Sequence, residues 1–182
     1  MKGFIRKDRL FSLCGLNCGL CSMKLGGHCG GCGFGNQSCK IARCSLEHGG
    51  MEYCFQCEEY PCARYRQADC YDLFITGQRR LADLEKAQQI GPDAYSREQT
   101  EKAALLADLL ERYNDGRRKT LYCLAVNLLE AEEVKGVIRQ LEQSPELAAA
   151  GIKEQAAFLA DRFRRLAEEK GLQLKLRKKP ED

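Results

Sequence analysis

Histidine, long apolar runs and any alternating strand–helix series are scarce or missing in this chain, and each lack excludes something. Two histidines among 182 residues leave ordinary acid–base catalysis little to work with. There is no Ser/His/Asp arrangement, no Walker loop and no HExxH pair. No stretch of about 18 apolar residues occurs, so no segment reads as a membrane span. The opening "MKGFIRKDRLF" breaks its apolar residues with charge and builds no signal-peptide core. A cytoplasmic protein is the expectation, with no membrane partner. At 44% hydrophobic and 30% charged residues, the composition is that of a globular chain rather than a disordered one.

Cysteine, by contrast, is plentiful. Eleven of the twelve cysteines, all but Cys123, lie between Cys14 and Cys70. In a reducing compartment such density points to bound metal before disulfides. The net charge of +3 is uneven: residues 1–70 carry nine Lys/Arg against six Asp/Glu, and residues 71–182 carry twenty of each. Each zinc held by four thiolates adds about −2, which cancels or reverses the basic balance of the first part. A general nucleic-acid footprint is therefore unsupported.

The two parts also differ in pattern. "KLGGHCGGCGFGNQSC" has six glycines in sixteen residues and cannot form one regular element. A segment so poor in large apolar residues folds poorly by burial alone, whereas a structural zinc supplies roughly 10–16 kcal/mol of apparent free energy. From about residue 76 the period becomes helical. Leu81, Leu84 and Ala87 share a face that ends at Gly91-Pro92. Ser96 with Gln99 suggests a capping box for a helix striped by Leu105, Leu106, Leu109, Leu110 and Tyr113. "TLYCLAVNLLE" is apolar nearly all round and reads as the most buried helix. Val134, Val137, Ile138 and Leu141 fall at i, i+3, i+4, i+7. "SPEL" opens a further helix, and Ile152, Leu159, Phe163 and Leu166 mark the last. Leu172, Leu174 and Leu176 alternate with polar residues and predict one short strand.

The predicted fold is thus mainly α. A metal-stapled, coil-rich cysteine module over residues 1–71 precedes a helical domain over 72–182, a bundle of four or five helices with one C-terminal strand. Tyr53, Phe55, Tyr60 and Tyr65 are expected to pack one onto the other.

Candidate metal ligands are Cys14, Cys18, Cys21, Cys29, Cys32, Cys39, Cys44, Cys54, Cys57 and Cys62. The pairs 18/21, 29/32 and 54/57 have the C-x2-C spacing that turns two sulfurs onto one metal. Eight sulfurs suffice for two tetrathiolate zinc sites, and three sites would also draw on His28 or His48. Spacing does not say which cysteines share an ion. Cys70 is a marginal ligand, and Cys123 reads as a small core residue. Cys14, Cys18 and Cys21 also have the C-x3-C-x2-C spacing of radical S-adenosylmethionine enzymes. The barrel of strands and helices those enzymes need is missing here, so a structural reading is preferred.

The series "CGLNCGLC", "CGGC", "CKIARC", "CFQCEEYPC" over about residues 12–66 resembles a cysteine-rich family of bacterial and archaeal proteins filed as domain of unknown function 3795. The resemblance implies zinc binding and gives no reaction. Many members have one more cysteine where this chain has Asn36, and a longer insert than the seven residues between Cys21 and Cys29.

Other candidates are weaker. "GRRK" at 116–119 could meet a phosphate at a helix start, and "KLRKK" at 175–179 could touch nucleic acid or an acidic partner. Both read more simply as solvated ends, as Glu58 and Glu59 read as exposed loop residues. The expected function is a zinc-binding protein with structural tetrathiolate sites and a binding or scaffold role toward a protein partner, without catalysis of its own. The alternatives are an iron–sulfur or thiol redox and metal-handling protein, with a spare pair such as Cys62 and Cys70, and a zinc-module nucleic-acid binder.

Overall fold

Gly91 and Pro92 separate the first two long helices. Gly91, at φ +88°, ends the helix Arg80–Ile90. Pro92 opens the next, Pro92–Arg112, because its fixed φ suits a first helical position where no N–H bond is required. The expected capping box at Ser96 is therefore corrected: Ser96 lies inside that helix, and its hydroxyl hydrogen-bonds Asp8 instead.

The structure, a computed structural model, describes residues 2–34, 37–68 and 71–179. Among these, α1 (Ser22–Leu25), α2 (Lys40–Glu47) and α3 (Ala63–Ala68) are short. They precede α4 (Arg80–Ile90), α5 (Pro92–Arg112), α6 (Lys119–Leu128), α7 (Ala131–Glu142), α8 (Pro145–Ala148) and α9 (Ile152–Glu169). Two 3-10 turns, Cys18–Leu20 and Cys54–Gln56, stand in the cysteine-rich part. The fold is mainly α. No described helix is long and apolar enough to cross a membrane.

The chain forms two compact units. One holds the residues up to Thr100 and the C-terminal segment from Leu176; the other runs from Glu101 to Lys175. In the first, Phe11, Tyr53, Tyr65, Leu84, Ala87 and Tyr95 make a core, with Cys14, Cys54, Phe55, Tyr60 and Cys62 packed against it. Phe11 lies 4.5 Å from the Tyr95 ring and 5.7 Å from Tyr53. The aromatic residues thus join the cysteine loops to α4 and α5, as expected. Leu81 does not: it is 43% exposed. The buried face of α4 is Arg80, Asp83, Leu84 and Ala87, a helical stripe half made of charged residues, which hydrophobicity alone assigns to solvent.

In the second unit, α6 is buried from Tyr122 to Leu128, and α7 buries the whole expected stripe of Val134, Val137, Ile138 and Leu141. Tyr122 meets Phe163 of α9 edge-on at 6.2 Å and donates its hydroxyl to the Tyr113 carbonyl at 2.8 Å. Ser144 accepts from Leu147 N–H at the start of α8, as its sequence implied.

The expected C-terminal strand is not formed, and no strand occurs among the described residues. Asp72 N–H donates to the Arg177 carbonyl at 3.0 Å, which begins a pairing. The Asp72 carboxylate then takes the Arg177 N–H at 2.9 Å and the guanidinium at 2.8 Å. A side chain occupies the donor that a neighbouring strand would need, so no ladder extends.

Candidate metal centre

Two of the three cysteine pairs are built alike. Cys18 opens a 3-10 turn, and Cys21 closes it at φ −85°, ψ 130°, its N–H bonded to the Cys18 carbonyl. Cys54 opens the other turn, and Cys57 closes it at φ −86°, ψ 136°, bonded to the Cys54 carbonyl. The same spacing has produced the same backbone in two unrelated sequences, "CGLC" and "CFQC". A bond from Cys54 N–H to the Leu13 carbonyl, 3.0 Å, links the second knuckle to the loop that carries Cys14. In the third pair, Gly31 at φ +96° points its N–H at the Cys29 sulfur, 3.4 Å away. N–H groups aimed at sulfur favour a thiolate.

Cys39 and Cys44 belong to a helix that sequence reading missed. Cys39 caps α2, its sulfur accepting from Ala42 N–H at 3.5 Å. Cys44 lies one turn before the C-cap, His48. The His48 Nδ1–H donates to the Cys44 carbonyl at 2.8 Å. A carbonyl only accepts, so this bond fixes a proton on Nδ1, while Nε2 lies 4.0 Å from the exposed Glu59 carboxylate.

The sulfurs fall into two neighbourhoods. Burial pushes the Cys18 thiol well up, and Cys32, Cys14 and Cys21 repel its ionised form. Burial also raises Cys32 to about 12, with Cys14 and Cys39 adding repulsion and Arg6 opposing it. The second neighbourhood holds Cys44, Cys54, Cys57 and Cys62. Burial raises Cys54 to about 12, with repulsion from Cys14, Cys62 and Cys44; Cys44 is raised by burial, with Cys62 and Cys57 nearby. Cys14 thus neighbours both sets. Thiols so disposed resist ionising unless a cation compensates the charge.

The second set lines a partly open hollow, with His48, Tyr60, Arg64 and Tyr65 also in its wall. The Tyr65 hydroxyl is buried beside Cys54 and opposes the burial that raises that thiol. Among the described residues, no three His, Cys, Asp or Glu side chains already stand where they could hold a metal ion. The donor chemistry nevertheless fits one: soft sulfur and an imidazole nitrogen, the set that zinc takes. A buried, unpartnered hydroxyl beside a sulfur is also a ready donor to a charged thiolate.

Elsewhere, Cys39 packs with Cys32 beside Phe4, Leu13 and Ala42. His28, Glu58 and Glu59 are exposed, and Cys123 is buried in α6. Cys70 and Asn36 lie outside the described residues. In "GRRK", Arg118 pairs with Asp115 at 3.4 Å. Sequence reading missed Arg6, a 3% exposed guanidinium that donates to the Phe11 carbonyl at 2.8 Å and lies 5.0 Å from the Tyr53 ring. Nothing in the pattern around it gives a signal. Compared with models of known protein families, with curated proteins and with solved structures, the chain matches none.

Proposed function

We propose that this is a zinc-binding protein whose cysteine unit is held together by structural thiolate sites and serves a binding or scaffold role toward another protein. One observation carries the reading: two C-x2-C knuckles of equal backbone geometry deliver their sulfurs into two crowded neighbourhoods of thiols. Cys14, Cys18, Cys21 and Cys32 are the natural ligands of one ion, and Cys44, Cys54, Cys57 and Cys62 of the other, with Cys29 and Cys39 at the margin. The resemblance of the motif order to the cysteine-rich family described above supports zinc as the ion. When bound, zinc would neutralise the thiolates and cross-link loops that a core of this size holds weakly.

The test is metal content per chain with the visible spectrum, on protein purified without added metal and without oxygen. Two zinc ions in a colourless protein are expected. Iron with acid-labile sulfide and visible absorbance would replace this reading with an iron–sulfur one.

A further inference from the structure

The two sulfur sets differ in what surrounds them. Gly19, Leu20 and Cys21 of the first knuckle are buried, and Asn17 beside it is 2% exposed. The second set lines a hollow open to solvent. That hollow also has one donor more than a tetrahedral ion takes, because His48 stands in its wall with Nδ1–H spent on the Cys44 carbonyl and Nε2 engaged only by the exposed Glu59 carboxylate, 4.0 Å away. Cys44 and His48 leave the same end of α2, with Cys44 Sγ 3.7 Å from Nδ1, the nitrogen that donates to the Cys44 carbonyl.

We propose, on the basis of the zinc reading above, that the hollow of Cys44, Cys54, Cys57 and Cys62 is an exchangeable site for a thiophilic closed-shell cation, with His48 as the reserve donor. The first set, whose Cys21 is buried and whose Cys14, Cys18 and Cys32 are half-buried, is a closed site that only staples. Exchange here is ligand substitution. Each thiol that binds gives its proton to water, each that leaves takes one back, and no electron moves. Four thiolates around a partly open ion keep it bound at rest. His48 Nε2 would offer the ion a replacement ligand while a chelator displaces a thiolate.

Two readouts test this on the full, reduced chain. Zinc-loaded protein mixed with 4-(2-pyridylazo)resorcinol is expected to release its metal in two phases separated in rate by about tenfold or more. Cys57→Ser should remove the fast phase and Cys18→Ser the slow one. Should either cysteine variant fail to fold, cadmium substitution followed by cadmium-113 NMR decides, using the exposed residue His48. Two resonances are expected; sub-stoichiometric chelator should broaden one and leave the other sharp, and His48→Ala should lessen that broadening. Release in a single phase, resonances equally sharp with chelator present, or broadening indifferent to His48→Ala overturns the exchangeable site while leaving zinc binding intact. A chain that binds no zinc or cadmium overturns the zinc reading and this one with it.

Discussion

The Asn17 side-chain amide, in the middle of the first cysteine loop, donates to the Asp83 carboxylate of α4 at 3.0 Å. Tyr95 of α5 donates its hydroxyl to the same Asn17 side chain at 3.2 Å. One buried amide therefore ties the cysteine loop to both helices that back it. Asn17→Leu keeps the size and removes both bonds, leaving a buried carboxylate short of one donor and the Tyr95 hydroxyl with the Asp83 carboxylate as its remaining acceptor. A loss of about 1–3 kcal/mol per unsatisfied group is expected, read as a lower urea midpoint. An unchanged midpoint would contradict this role.

Gly15 is the second tie between loop and helix. It adopts φ +87°, and a β-carbon there would meet the Arg80 carbonyl at 2.4 Å and the Leu84 side chain at 2.8 Å. Gly15→Ala combines left-handed strain of about 1–2 kcal/mol with overpacking of about 1–3 kcal/mol. Neither contact is a flexible side-chain end, since one is backbone and the other the branch point of a fully buried leucine. The variant should lose metal more readily than wild type under the same chelator challenge.

Asp8 ties the N-terminal strap to the same core. Burial works to raise its pKa, but hydrogen bonds from Ser96, from the N–H groups of Phe11 and Leu10, and from Tyr53 together outweigh burial and hold it below the usual carboxylate range. A depressed carboxyl contributes stability that is present above its unfolded pKa, about 3.9, and is lost as pH falls through the lower folded value. The stability difference between wild type and Asp8→Asn should therefore be constant above about pH 5 and shrink below about pH 4. Chemical denaturation at a series of pH values measures it. A difference that grows in acid would reverse the sign of this argument.

Asp72 holds the C-terminal segment. Its side chain is 1% exposed against Arg177, and it also accepts from Gly77 N–H at 2.8 Å. Asp72→Ala removes several charge-assisted bonds at once, each worth about 1.5–3 kcal/mol. Faster hydrogen exchange at Gly77 and Arg177 is expected, with α6, α7 and α9 unchanged.

The second unit was largely legible because its helices bury unbroken apolar stripes, as at Val134, Val137, Ile138 and Leu141. The knuckles were legible because a two-residue gap between cysteines leaves the backbone few ways to turn. Three features were hidden, each for a physical reason. The buried face of α4 contains Arg80 and Asp83, which hydrophobic periodicity places outside. Helix α2 is too short, at eight residues, for its period to stand out among glycines and cysteines. The strand suggested by Leu172, Leu174 and Leu176 failed on one side chain, since the Asp72 carboxylate takes the donor that pairing required. The grouping of the cysteines depends on long-range packing around Phe11 and Tyr65, which spacing does not encode.

The claim at the centre is that metal holds the cysteine unit in its fold. Hydrogen exchange of the reduced, zinc-loaded chain, before and after chelation, tests it most directly. The expected result is that protection around Cys18–Leu20, Cys54–Gln56 and α2 collapses on chelation, while α6, α7 and α9 keep theirs. Equal protection of the cysteine unit with and without metal would mean that its aromatic core suffices, and would contradict the staple.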